Sequence, residues 1–157
     1  MQTFKKTPYR EKPGYFYILR FSENRTKIGI TNLWSRRLKQ HIKKQKGKPV
    51  QIYHIAKFEH MWMARMTETC LKRVLQHWII EGTKEVISDP ISIKTVFELF
   101  YVVSSTIEKD YADPEKVFCN KHLRSVNQNR LMKLINSRID KEVLNFPPAL
   151  NETTDHL

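Results

Sequence analysis

The fold is decided by PGYFYILRF at residues 13–21 and KIGIT at residues 27–31. β-Branched and aromatic residues dominate both runs, and the short segment between them is polar, which is typical of two strands joined by a turn. The pattern therefore predicts an antiparallel hairpin. Because side chains alternate along a strand, Tyr15 and Tyr17 are expected on one face of the sheet, near Lys27 at the start of the partner strand.

The segment after the hairpin predicts a helix from Leu33 to about Lys46. Its apolar residues recur every four positions, which is helical spacing, at Trp34, Leu38 and Ile42. Arg37 and His41 are also four residues apart and lie beside this stripe. Both are therefore expected to lie over the same edge of the sheet.

A third strand is predicted at residues 50–58, followed by a long helix from His60 to Ile80 that ends at Gly82. The apolar stripe of this helix is formed by Ala64, Leu71, Leu75 and Trp78. Glu68 falls on the same stripe and is expected to face the interior. Because burying a carboxylate is costly, it needs a cation, a hydrogen-bond network or a metal ion. The alternative is a carboxylate at the edge of the stripe that reaches solvent or pairs with an arginine.

Two helix-start signals, Asp89-Pro90 and Asp113-Pro114, predict two or three helices in the C-terminal part of the chain, with a break near residues 125–129. The expected fold class is α+β, with a small three-stranded antiparallel sheet flanked by helices and a C-terminal helical extension. Four segments are predicted: a basic N-terminal arm at 1–12, an α+β domain at 13–88, a helical extension at 89–146 and a disordered tail at 147–157.

Positive charge is concentrated in the first third of the chain. The formal net charge is +12, and residues 1–48 contain fourteen lysines and arginines against two glutamates. Such a field attracts polyanions and speeds their capture, so a nucleic acid is the expected partner. The alternatives are a basic surface without a ligand, ribosome-like binding and an anionic membrane. No basic helix with a wide apolar face occurs in this segment, which argues against the membrane.

The sequence predicts an intracellular protein without a membrane anchor. It has no run of about 18 apolar residues, and residues 1–14 lack the apolar segment of a secretory signal. Two cysteines, Cys70 and Cys119, are too few for a disulfide scaffold and lack the paired spacing of a zinc site. A reducing compartment is therefore expected.

Three motifs in order carry a resemblance to a known family: PGYFYIL at residues 13–19, KIGIT at 27–31 and RRLKQH at 36–41. Together with Glu68 on the following helix, they resemble the GIY-YIG nucleases, above all a branch of phage, viral and bacterial proteins that read YIL, KIGIT and RRL. The resemblance covers residues 13–88. It implies a metal-dependent endonuclease that hydrolyses DNA phosphodiester bonds, located in the cytoplasm of a bacterial host or, for a viral protein, in the host cell.

The resemblance assigns roles to residues of the hairpin. Tyr17 matches the tyrosine of the first motif, which is proposed in the family to activate or position the attacking water. Tyr15, two residues earlier on the same face, is the rival for that role. Lys27 stands where many members have a second tyrosine, and a lysine beside Tyr17 would stabilise a phenolate or acidify a water.

The resemblance also assigns roles to residues of the two helices. Arg37 matches the arginine that holds the scissile phosphate, and His41 matches a histidine found one turn later in several members. Glu68 matches the single acidic ligand of Mg²⁺ or Mn²⁺, ions that retain several waters. Four basic residues of the first helix are expected to bind DNA: Arg36, Lys39, Lys43 and Lys44.

Two other functions stay open at the level of sequence. One is a catalytically inactive nucleic-acid-binding protein on the same fold, because Lys27 replaces the second tyrosine and a late asparagine of the family has no clear counterpart. The other is a phage or viral factor whose basic surface binds an acidic host protein. Residues 89–146 are interpreted either as helices packed on the nuclease domain or as an element that contacts DNA or forms a homodimer.

Overall fold

The computed structural model describes residues 12–21, 25–80, 83, 86–87, 91–110 and 121–143, without the side chains of residues 110 and 121–128. Most of the predicted basic arm and the whole predicted tail lie outside the described residues. Three of the helix-boundary signals also lie outside them: Gly82, Asp89-Pro90 and Asp113-Pro114.

Four antiparallel strands form one sheet in the order β3-β1-β2-β4. The strands are β1 (Gly14–Phe21), β2 (Arg25–Thr31), β3 (Val50–Phe58) and β4 (Val86–Ile87). The first three agree with the α+β prediction, but the predicted number of three strands is corrected to four. The two residues of β4 are too few to carry a periodic pattern, and their pairing with Thr26 and Lys27 arises from the tertiary fold.

Helices flank this sheet. They are α1 (Trp34–Lys44), α2 (Met61–Val74) with a 3-10 turn at Gln76–Trp78, α3 (Ile93–Asp110) and α4 (Lys121–Glu142). α2 is shorter than the helix predicted to Ile80, because the chain beyond it turns so that Ile79 can bridge Ile87 of β4. α4 is continuous through residues 125–129, where the sequence predicts a break. Among the described residues, none of the helices combines the length and apolar character needed to cross a lipid bilayer.

The sheet separates two hydrophobic clusters. The larger cluster lies between the sheet and α2, α3 and α4, and in it Phe16 stacks on Phe100 with the ring centroids 4.6 Å apart. The smaller cluster lies under α1 and contains Tyr17, Leu19 and Phe21, with Trp34 and Leu38 packed against them. Alternate residues of β1 therefore serve opposite faces of the sheet, as strand geometry requires.

The inward stripe of α1 differs from the predicted one. Ile42 is 50% exposed, whereas His41 is 6% exposed and takes the inward position. Successive residues of an α-helix are about 100° apart, so a strict four-residue spacing drifts by about 40° at each step. Ile42 is two such steps after Trp34, so its side chain has rotated away from the direction of Trp34. His41 is seven residues after Trp34, and its side chain lies within about 20° of that direction.

Arg138 fixes α4 to α3. Its Nη1 donates hydrogen bonds to Thr106 Oγ1 at 2.6 Å and to Ser105 Oγ at 3.2 Å, and its Nε donates to Glu142 at 3.0 Å. The hydrogen bond from Arg138 lowers the pKa of the Glu142 carboxyl. The described helices beyond residue 90 thus pack on the same body as the sheet.

Candidate active site

A polar pocket of about 420 Å³ opens between the end of β2, the first half of α1 and the first two-thirds of α2. The described residues that line it are Ile30, Thr31, Asn32, Arg36, Arg37, Gln40, Met61, Arg65 and Glu68. Three of these are arginines and one is a glutamate, so the formal charge of the lining is +2. The pocket can therefore hold an anion next to a carboxylate.

One wall of the pocket is the connection from β2 to α1. The hydroxyl of Thr31 accepts a hydrogen bond from the Leu33 N–H at 3.1 Å, which fixes the turn into the helix. Arg36 and Arg37 then fall in the first turn of α1, where no acidic residue occurs. Arg37 is half-buried, and its Nη1 donates to Gln40 Oε1 at 3.2 Å. Two guanidinium groups thus lie at a helix N-terminus, whose free N–H groups also attract anions.

The opposite wall is α2, which carries Glu68. This residue is 9% exposed, so the prediction that it faces the interior is confirmed. Lys72 Nζ lies 3.7 Å from Glu68 Oε2, one turn further along the helix. Arg65 lies three residues before Glu68 and lines the same pocket. The carboxylate is therefore accompanied by cations of its own helix, which reduces the cost of removing it from water.

Gly14 sets the distance between α2 and β1. A Cβ added at Gly14 would lie 2.9 Å from the Cα of Met61 and 3.2 Å from the Cβ of Ala64. Both separations are shorter than ordinary van der Waals contact, so a larger residue would push α2 away from the sheet. The glycine of the first motif therefore helps to place Glu68 at the pocket.

Tyr17 and His41 form a second polar group, buried between the sheet and α1. The Tyr17 hydroxyl is hydrogen bonded to His41 Nε2 at 2.9 Å, and the two side chains belong to residues that are 2% and 6% exposed. Tyr17 pairs with Gly29 across the hairpin, and its ring covers that glycine. Gly29 immediately precedes the pocket residue Ile30. His41 likewise immediately follows the pocket residue Gln40, so the pair adjoins the pocket along the chain.

The structure brings together part of the predicted site. Arg37 and Glu68 line one pocket, as does Arg36, which the sequence assigned to DNA binding. Four other predicted catalytic residues do not line it: Tyr15, Tyr17, Lys27 and His41. The remaining predicted DNA-binding residues are exposed on α1 outside the pocket: Lys39, Lys43 and Lys44.

Tyr15 and Lys27 occupy different positions relative to the pocket. Tyr15 is half-buried and pairs with the pocket residue Thr31 across β1 and β2, so both side chains leave the same face of the sheet. Lys27 is half-buried and pairs with Leu19, further from the end of β2 that forms the pocket. Of the two hairpin tyrosines, Tyr15 is therefore the cross-strand neighbour of a pocket residue.

Sequence reasoning missed several pocket residues, of which Arg65 is the most important. Its position three residues before Glu68 puts it on the same side of α2, so helical spacing could have identified it. No spacing pattern indicated the other three polar residues, Thr31, Asn32 and Gln40. They line the pocket only because the β2–α1 connection packs close to α2. The periodicity of a single helix does not predict which other segment packs beside it.

The oxygen donors of the pocket fit a hard divalent cation. Glu68 offers a carboxylate, and Thr31, Asn32 and Gln40 add neutral oxygens to the lining. Within the part of the chain that the structure describes, no group of three or more His, Cys, Asp or Glu residues could hold a metal ion. A cation here would therefore have one protein carboxylate and keep most of its waters, which suits Mg²⁺ or Mn²⁺.

Cys70 lies two residues after Glu68, but its thiol is not suited to be a second metal ligand. The residue is 1% exposed, and burial raises the pKa of its thiol to about 11, although Arg73 opposes this shift. The thiol therefore stays protonated near neutral pH, whereas a metal ligand or nucleophile must be a thiolate. Its role is packing in the larger cluster.

Comparisons of the chain with models of protein families, with curated proteins and with solved structures gave no match. Function is therefore inferred from the chemistry of the pocket and from the sequence motifs that form it. The pocket combines a carboxylate, three guanidinium groups and the N-terminus of α1.

Proposed function

We propose that this chain is a metal-dependent endonuclease of the GIY-YIG type that hydrolyses DNA phosphodiester bonds inside a cell. The observation that supports the proposal is the pocket in which Glu68 on α2 meets Arg36 and Arg37 on α1. A site for phosphodiester hydrolysis needs cations for the phosphate and a group that delivers water. The same pocket offers guanidinium groups for the first task and a carboxylate for the second.

Arg37 is the residue best placed to hold the scissile phosphate. The residue is half-buried, whereas its guanidinium is exposed where it bonds to Gln40 and can be reached by an incoming phosphate. The hydrogen bond to Gln40 fixes one edge of the group and orients the others. A planar guanidinium can then donate two parallel hydrogen bonds to phosphate oxygens, which also stabilise the charge that develops during hydrolysis.

Glu68 would hold Mg²⁺ or Mn²⁺ beside that phosphate. When bound, such an ion supplies an acidified water and stabilises negative charge on the reacting phosphate. The burial of Glu68 and its contact with Lys72 keep its carboxylate at the pocket wall. Tyr15, opposite Thr31, and Tyr17, bonded to His41, are the two candidates for positioning a water or accepting its proton.

The test is cleavage of supercoiled plasmid DNA in the presence of Mg²⁺. We expect Glu68→Gln and Arg37→Gln to lower the rate about 100-fold or more, because each removes a charge that acts on the reacting phosphate. Glu59→Gln and Arg73→Gln are the matched controls, since both residues are exposed and lie outside the pocket. The proposal is refuted if Glu68→Gln or Arg37→Gln cuts as fast as the parent while both remain folded.

A catalytically inactive nucleic-acid-binding protein is the second candidate. It is favoured by the burial of Tyr17, whose hydroxyl is bonded to His41 and lies outside the pocket lining. Lys27, which would assist that tyrosine, does not line the pocket either. Salt-sensitive DNA binding without cleavage at any Mg²⁺ or Mn²⁺ concentration would select this candidate. Weak DNA binding would instead favour an acidic protein as the partner.

A further inference from the structure

Glu68 and Lys72 form an ion pair on α2 at the wall of the pocket. Lys72 Nζ lies 3.7 Å from Glu68 Oε2, and the lysine follows the glutamate by four residues. A glutamate four residues before a lysine is the more favourable order for a pair on a helix. Lys72 also lies in the last turn of α2, where the helix dipole favours a cation. The helix itself therefore holds the ammonium group beside the carboxylate.

This ion pair is largely removed from water. The side chain of Glu68 is 11% exposed and that of Lys72 is 27% exposed. Oε2, the glutamate oxygen of the pair, has almost no contact with solvent. Charges that are shielded from water interact more strongly than charges on the open surface, and salt screens them less. The ammonium group of Lys72 thus acts on the carboxylate of Glu68 with little screening.

The contact that keeps Glu68 at the pocket wall also competes for its negative charge. Glu68 is the one acidic residue among the described residues that line the pocket, and Arg36 and Arg37 line it as well. A divalent cation on Glu68 would share the single carboxylate with Lys72 and would be repelled by its ammonium group. The described lining offers no second carboxylate to offset this repulsion.

We propose that Lys72 weakens the affinity of Glu68 for Mg²⁺ or Mn²⁺, so that the ion exchanges readily with the surrounding solution. The proposal rests on the nuclease function stated above and concerns the regulation of the same site by the concentration of the cation. Lys72 does not line the pocket, so it acts through Glu68 and is a positioning residue. The opposite role, in which Lys72 orients the carboxylate in favour of the ion, predicts the opposite change in affinity.

The test is the binding of Mn²⁺ alone to the full chain, measured by electron paramagnetic resonance at low salt without DNA. We expect Lys72→Met to bind Mn²⁺ about tenfold more tightly than the parent, because the substitution removes the ammonium group and keeps an apolar stem. Lys72→Arg keeps the positive charge and should bind like the parent. Arg73→Gln, at an exposed residue of the same helix outside the pocket, is the matched control and should also bind like the parent.

A second comparison asks whether Lys72 acts through Glu68. Glu68→Gln should lose this Mn²⁺ site, and a chain that carries both Glu68→Gln and Lys72→Met should not regain it. Circular dichroism checks that each variant is folded. The tighter binding expected of Lys72→Met cannot arise from loss of folding, since an unfolded chain would not keep the site.

Unchanged Mn²⁺ binding by Lys72→Met would overturn the proposal. Weaker binding would overturn it too, and would show that the pair orients the carboxylate for the ion. An increase that persists in the Glu68→Gln background would contradict the route through Glu68. The nuclease proposal fails separately, through absence of plasmid cleavage by the parent. If that happens while Lys72→Met still tightens Mn²⁺ binding, Lys72 controls a metal site in a protein that does not cut DNA.

Discussion

The contact between Tyr17 and Gly29 explains why a glycine stands in the middle of the second motif. The two residues face each other across β1 and β2, and a Cβ at Gly29 would overlap the phenol ring of Tyr17. The same ring reaches His41, so the absence of a side chain at Gly29 allows α1 to be tied to the sheet. A residue two positions before Thr31 therefore influences the wall of the pocket.

We predict that Gly29→Ala destabilises the fold by about 1–3 kcal/mol, because the tyrosine ring has to move in a filled space. Urea unfolding followed by circular dichroism measures the change. If overlap with the ring is the cause, the penalty of Gly29→Ala should shrink in a chain that already carries Tyr17→Val. An equal penalty in both backgrounds would assign the effect to the backbone of β2 instead.

The contact between β3 and α3 contains a histidine whose titration is linked to folding. The ring of His54 lies 4.8 Å from the ring of Phe97 and 5.7 Å from that of Phe100, measured between centroids. Partial burial among these rings disfavours the charged imidazolium and lowers the pKa of His54 below 6.5. The unfolded chain therefore binds the proton at a higher pH than the folded chain does.

We predict that this group stabilises the fold fully above pH 6.5 and progressively less as the pH falls toward the lowered pKa of the folded state. His54→Gln should consequently lose less stability than the parent between pH 7.5 and pH 5, measured as the urea midpoint. His77→Gln, at an exposed residue, is the matched control and should follow the parent. Parallel pH profiles for the parent and His54→Gln would contradict the assignment.

Elements with strong local patterns could be predicted from sequence, and elements formed by tertiary contact could not. The hairpin of β1 and β2 is dense in strand-forming residues, and the inward stripe of α2 around Glu68 is periodic, so both were recognisable. β4 has two residues and depends on Ile79 turning back to meet Ile87. That turn also ends α2 earlier than its apolar pattern indicates.

The residues of the candidate site also include some that the sequence could predict and others that it could not. Helical spacing and the motifs identified Arg37 and Glu68, which line one pocket. Strand alternation predicted that Tyr15 and Tyr17 lie on one face of the sheet. It could not predict that the His41 side chain points inward and is hydrogen bonded to Tyr17. That outcome depends on the register of α1 over the sheet, in which His41 replaces Ile42 at the buried position.

The distribution of charge over the whole molecule determines how DNA would approach the pocket. Beyond Arg36 at the pocket, α1 exposes Lys39, Lys43 and Lys44. On the described part of α4, Arg130, Lys133 and Lys141 are also exposed, but Asp140 and Glu142 flank Lys141 on either side. A strand that enters the pocket from the α1 side meets lysines without neighbouring acids on that helix, so phosphate contacts are expected there.

We predict that the triple substitution of Lys39, Lys43 and Lys44 by glutamine weakens duplex DNA binding and reduces the slope of log K against log salt. Each lost phosphate contact should lower the magnitude of the slope by about 0.9. The triple substitution of Arg130, Lys133 and Lys141 removes the same formal charge and should leave the slope unchanged. If the α4 variant loses as much slope as the α1 variant, the C-terminal helix contacts DNA. If neither variant changes the slope, these residues do not form the DNA-binding surface.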